Sequence, residues 1–161
     1  MTTTAAGKSR ALTLFLRIYG VLTLVIFISL FVGVAVESPI LAEQGGPLNW
    51  TIWNDVKAGN EMNHVPLMLF VVYIVWGVFF FLAARNPTEY GSFLSFTAWA
   101  NLAHGVLMIG QTLMDLDRYW SKFLTDIPFI LILPLAIYLL RSAWMTTSSE
   151  TAQAHQPAHE H

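Results

Sequence analysis

The stretch FTAWANLAHGVLMIGQTLMD, residues 96–115, decides how the chain must fold. It has the apolar content of a membrane-spanning helix, yet it carries Thr97, Asn101, His104, Gln111 and Asp115. At 100° per residue these positions, with Met108 among them, fall within an arc of roughly 80° on one side of a helix. Ala98, Leu102, Val106, Ile109 and Leu113 fill much of the opposite side. The stripe rises about 27 Å at 1.5 Å per residue, nearly the thickness of a bilayer core. A face that is polar from edge to edge cannot rest on lipid, where each unpaired polar group costs some kcal/mol. It requires neighbouring helices or a hydrated cavity, so the segment predicts a bundle.

The rest of the chain supplies the neighbours. Of its 161 residues, 55% are hydrophobic and only 11% charged, against about a quarter charged in a soluble domain. Four stretches, roughly 11–36, 64–84, 93–114 and 123–142, reach the length that crosses a bilayer as a helix. The apolar runs are continuous rather than alternating, and an open sheet cannot leave its edges in lipid, so strands are not expected. The expected fold is all-α: an integral membrane bundle of four transmembrane helices, one domain over roughly 11–145. A cytoplasmic N-terminal segment, roughly 1–10, precedes it, and a disordered polar tail, roughly 146–161, follows.

Composition also excludes classes of function. There is no cysteine, which removes disulfides, thiolate metal sites and cysteine nucleophiles. The net charge of −2 offers no basic patch for nucleic acid. Lys8 and Arg10 precede the first apolar run as they would in a signal peptide. That run, ALTLFLRIYGVLTLVIFISLFVGVAV, is about 26 residues long against 7–15 for a signal core, and it reads as a retained helix.

Arg and Lys accumulate on the cytoplasmic side of membrane proteins. Lys8, Arg10, Arg17, Arg85 and Arg141 fall on one side of the expected topology, and Lys57, Arg118 and Lys122 on the other. This places both termini in the cytoplasm. The first loop, 37–63, carries Glu37, Glu43, Asp55 and Glu61, and its Trp50 and Trp53 suit the membrane interface. Its NWT triplet matches a glycosylation acceptor but is too short a pattern to carry weight. In ARNPTEYGS, Asn86 is an expected N-cap, Pro87 a first helical residue and Glu89 a capping-box acid. Helices two and three are then expected to be tight antiparallel neighbours. In TDIP, Thr125 or Asp126 is expected to cap helix four, which Pro134 is able to kink.

The stripe has two readings. Asn, Gln and His hydrogen-bond across membrane helices for about 0.6 kcal/mol each, and that alone explains such a face. An ionisable residue near mid-membrane is also a candidate functional group. His104 is that residue, and imidazole is the side chain that changes charge near neutral pH. Asn101 and Gln111 flank it, and Asp115 ends the stripe. At the same outer end lie Glu37, Glu61, His64 and Asp126, which together could hold a cation or collect protons, or simply mark where water begins. His64 and His104 differ in depth by roughly 15 Å at 1.5 Å per residue, so they cannot share a haem iron. The tail histidines His155, His159 and His161 form only a short His-rich end. No phosphate-cradling loop, HExxH or nucleophile elbow is present. No cofactor, metal site or catalytic residue is assigned.

The segments VYIVWGVFFFLAARNP (72–87), Ser92, FTAW (96–99), His104, Met108, Gln111 and DIP (126–128) occur in an order and spacing that is similar to a known pattern. Over about residues 61–140 the chain resembles a bacterial family of small four-span membrane proteins, catalogued as a domain of unknown function. The residues after Trp99 read ANLA where that pattern is richer in serine. The resemblance implies a four-helix bundle in the bacterial cytoplasmic membrane and implies no activity.

The expected function is that of a non-enzymatic membrane protein whose polar helix-three face serves small-solute or proton movement, or pH sensing. The alternative is an accessory subunit of a larger membrane complex, and the third reading a membrane redox or enzyme component. The expected partners are the lipid bilayer and either further copies of the chain or a larger complex.

Overall fold

The structure, a computed structural model, describes residues 5–39 and 64–154. Among them every regular element is helical. α1 spans Ala5–Ala35, α2 His64–Arg85 and α3 Gly91–Met114. The short helix α4, Leu116–Tyr119, leads through a 3₁₀ turn, Trp120–Phe123, into α5, Asp126–Ala154. Four helical stretches are long and apolar enough to cross a membrane: Ser9–Ala35, Leu67–Arg85, Gly91–Met114 and Trp120–Arg141. The expected all-α architecture of four such helices is present, and α3 is the least apolar of them.

Small residues decide which backbones meet. The close pairs are α1 with α2, α1 with α5, and α3 with α5. At the α1–α2 crossing, a Cβ on Gly20 would lie 3.3 Å from the Gly77 carbonyl oxygen and 3.2 Å from Phe80 Cβ. A Cβ on Gly77 would lie 2.9 Å from Leu24 Cδ2. The two glycines let the helices approach closely, as small residues do where lipid supplies no hydrophobic drive between helices. In α3, Gly105 plays the same part by receiving the side chain of Leu131 from α5.

One buried cluster joins all four long helices at the end bearing the α2–α3 turn. Leu12 and Leu16 of α1 meet Ala83 and Ala84 of α2, Leu94 of α3 and Ile137 of α5 there. Tyr19 ties this cluster together. Its ring stands edge-on to Phe80 at 5.2 Å and stacks on Phe129 at 4.9 Å. Its hydroxyl donates to the Phe129 carbonyl at 3.0 Å, which satisfies a polar tip inside the bundle. Phe27, Leu30, Val34 and Phe70 pack α1 on α2 at the opposite end.

α2 and α3 differ from the expected tight pair. Their backbones are not among those that pack closely. The α2 face toward α3 is aromatic, and rings fill the space: Trp76 stacks on Phe96 at 5.8 Å, and Phe79 and Phe80 meet Phe93 at 5.6 Å and 5.8 Å. The helix start also differs. α3 begins at Gly91 with Tyr90 at the N-cap position and no side-chain cap. Asn86 accepts a hydrogen bond from the Thr88 hydroxyl instead, and residues 87–90 form turns. The Asn86 oxygen is thus spent within the turn. Thr125 precedes α5, but its hydroxyl donates back to the Ser121 carbonyl at 3.0 Å rather than capping. Asp126 is the first residue of α5 and is 4% exposed.

α5 continues beyond residue 146, the expected start of the polar tail, to Ala154. No Gly or Pro interrupts the chain between Pro134 and Pro157, so nothing local stops the helix. The tail histidines and most of the first loop, with Trp50, Trp53 and NWT, lie outside the described residues.

α1 ends on a left-handed residue. Glu37 has φ 51°, Ser38 N–H donates to the Gly33 carbonyl at 2.8 Å, and Glu37 N–H donates to Val34 at 3.1 Å. This is a Schellman stop with Glu where glycine is usual. Glu37→Gly should therefore stabilise the protein by about 1 kcal/mol, read as a rise in unfolding midpoint in detergent. Gly77→Leu should cost about 1–3 kcal/mol by forcing α1 from α2. Gly110→Ala, where a Cβ meets nothing within 4 Å, should be neutral or slightly stabilising in the same measurement.

Candidate functional site

The buried line of α3 runs through Leu94, Thr97, Asn101, Gly105, Met108 and Thr112. At 100° per residue this line is rotated by roughly 40° from the centre of the polar stripe. The rotation sorts the stripe into three parts. Thr97, Asn101 and Met108 face the interior, His104 sits half-buried on the shoulder toward α2, and Gln111 and Asp115 are exposed. Asp115 stands at the C-cap position, just past the helix end. The cause lies in α5: the flat side of α3 at Gly105 is where Leu131 enters, and that contact turns the helix.

Thr97, Asn101 and His104 each have a defined partner. Trp76 Nε1 donates to Thr97 Oγ1 at 2.9 Å, joining α2 to α3. Asn101 Nδ2 donates to the Thr97 carbonyl at 2.9 Å, so its amide is used within its own helix rather than across the bundle. Tyr73 Oη and His104 Nδ1 lie 3.2 Å apart, a second link from α2 to α3. The Tyr73 ring stacks on Phe27 of α1 at 4.2 Å and 6°, and on Trp76 at 5.9 Å and 16°. A movement at His104 is therefore connected through one tyrosine to two other helices.

The space around these links is small. Asn101, Tyr19, Tyr73 and Trp76 border a void of about 10 Å³, room for about one water at most. A larger cavity, about 350 Å³, opens at the C-terminal end of α3 between Gln111, Thr112, Asp115, Tyr119 and Lys122. Lys122 Nζ sits 4.8 Å over the Tyr119 ring. Thr112 is fully buried at its edge, and its hydroxyl has no hydrogen-bond partner among the described residues.

The remaining candidates do not gather into one site. Glu37 is exposed at the end of α1, and Asp126 is buried at the start of α5. His64 is the first residue of α2, but its side chain, like the whole of Glu61, lies outside the described residues. Among the described residues no three His, Asp or Glu side chains are placed to hold a metal ion. The sequence reading missed Tyr73, Trp76 and Gly105. Tyr73 and Trp76 stand three apart on one face of a largely apolar span, and they are the aromatics there with a polar tip. That spacing was available in the sequence; the role of Gly105 was not, because it depends on which neighbour arrives.

A double-mutant cycle with Trp76→Phe and Thr97→Val should give a coupling of about 0.6–1.7 kcal/mol in unfolding experiments, the range for hydrogen bonds between membrane helices.

The family of unknown function DUF6632 matches residues 8–156. The match is wider than the stretch 61–140 on which the motifs lie, and it takes in α1 and the first loop. No curated protein and no solved structure matches the chain. The match spans nearly the whole chain, from before the apolar run of α1 to beyond α5, and the chain belongs to this family of unknown function.

Proposed function

We propose that the protein is a non-enzymatic multi-pass membrane protein of the bacterial cytoplasmic membrane that responds to pH through His104. Both termini then lie in the cytoplasm, and the cavity at the C-terminal end of α3 faces the far side. The distribution of Arg and Lys supports that orientation. Lys8, Arg10, Arg17, Arg85 and Arg141 stand toward the end that holds the α2–α3 turn, against Arg118 and Lys122 toward the other.

The observation that carries the reading is the pair Tyr73 Oη and His104 Nδ1 at 3.2 Å. It joins two helices whose backbones do not pack closely. A neutral imidazole with its proton on Nε2 accepts the tyrosine hydroxyl at Nδ1. An imidazolium has protons on both nitrogens and cannot accept. Protonation therefore reverses or breaks this link, and the stack of Tyr73 on Phe27 passes the change to α1. Sensing is favoured over transport because the void at the level of Asn101 has about 10 Å³, too little for a continuous water path through one copy.

The absence of cysteine makes the test direct. Spin labels on cysteines at Val71 and Leu107, both exposed and at similar depth on α2 and α3, report the distance between these helices in proteoliposomes. The distance should change as acidification protonates the imidazole, and the change should be lost in His104→Gln. An unchanged distance, or the same change in the variant, would leave His104 as an interhelical tie alone.

A further inference from the structure

A groove of about 540 Å³ runs down the outside of the bundle between α3 and α5. Its floor is apolar, with Ala98, Leu131 and Pro134, and Trp99 and Tyr138 rise beside it, 72% and 75% exposed. It belongs to neither the His104 link nor the cavity at the C-terminal end of α3. Its volume is in the range of sites that take a small organic molecule.

One end of the groove is charged. Arg141 lines it together with Ser95, and the guanidinium Nη1 donates to Ser95 Oγ. Nη2 lies against Gly91, where a Cβ would be only 3.4 Å away. Arg141 Nε is buried and has no hydrogen-bond partner among the described residues. A guanidinium carries five N–H donors in a fixed fork that suits the oxygens of a phosphate. Here serine and a close glycine hold that fork at the mouth of an apolar channel.

The dimensions match one kind of molecule. Residues 131–141 of α5 extend about 15 Å at 1.5 Å per residue. That is half of a bilayer core of about 30 Å, or the depth of one leaflet. The charged end lies with the α2–α3 turn, where the arginines gather, and so at the level of lipid headgroups. We propose that this groove is a binding site for a single anionic phospholipid, with its phosphate on Arg141 and one acyl chain along Ala98, Leu131 and Leu135.

Native mass spectrometry of the full chain in detergent tests this, with phosphatidylglycerol or phosphatidylcholine of identical chains added at equal concentration. One phosphatidylglycerol should be retained in preference to phosphatidylcholine by about fivefold, the effect of one cationic side chain on an anionic lipid. Arg141→Gln should reduce that preference to near unity, and Arg141→Lys should restore part of it. Ala98→Trp keeps the arginine but fills the floor, and it should lower retention of both lipids. Arg85→Gln, an exposed charge at the same end that does not line the groove, should change nothing. Equal retention of the two lipids would overturn the proposal. So would an equal loss in Arg85→Gln, which would mean diffuse attraction of anionic lipid. A homodimer that Ala98→Trp dissociates would also overturn it, by showing that a second copy covers the face.

Discussion

The bilayer offers no hydrogen bonds, so the polar groups midway along α3, Thr97, Asn101 and His104, must find partners inside the protein. That constraint organises the bundle. It turns Thr97 and Asn101 inward, and it calls for donors and acceptors on the helix opposite. α2 answers with aromatic residues that carry a polar tip, Trp76 to Thr97 and Tyr73 to His104. Large rings bring their polar atoms across a wide gap, and α2 and α3 consequently stay apart at the backbone. The same residues that satisfy the stripe thus set the spacing of the helices.

The rest of the packing follows a different rule. α1 meets α2 through Gly20 and Gly77, and α3 meets α5 where Gly105 receives Leu131. These contacts depend on the absence of a side chain, and the α2–α3 contact depends on very large ones. The result is two tight helix pairs, α1–α2 and α3–α5, linked by α1 against α5 on one side and by aromatic and polar side chains on the other. Tyr19 belongs to the first kind of link, bonding α1 to α5 through the Phe129 carbonyl. Tyr73 belongs to the second.

Much of this was legible in the sequence, and the reason is the solvent. Length and apolar content alone specify how many helices can span a bilayer, and the four spans follow from that. The polar stripe was legible as a face that must be covered, because periodicity gives the face of a helix. It does not give the angle at which neighbours arrive. Gly105 let Leu131 in and rotated the buried line by roughly 40°, which left Gln111 exposed and His104 on the shoulder. The hairpin caps failed for a local reason. Asn86 had two possible partners, the helix end and the Thr88 hydroxyl, and sequence does not rank them. Asn101 failed in a similar way: its amide found a carbonyl one turn back in its own helix.

Position on the shoulder is what separates His104 from the rest of the stripe. A fully buried imidazole would be locked by its neighbours, and a fully exposed one would be connected to nothing. His104 is half-buried, about two turns from the cavity bordered by Gln111 and Thr112, and its other neighbour is a tyrosine that stacks on α1. Close backbone packing would resist any change at such a point, because packed interiors yield little. Between α2 and α3 that resistance is weakest, since side chains alone span the gap. The requirement to satisfy a polar face in lipid therefore produced, in the same step, a helix pair held by Tyr73 with His104 and Trp76 with Thr97 rather than by close backbone packing.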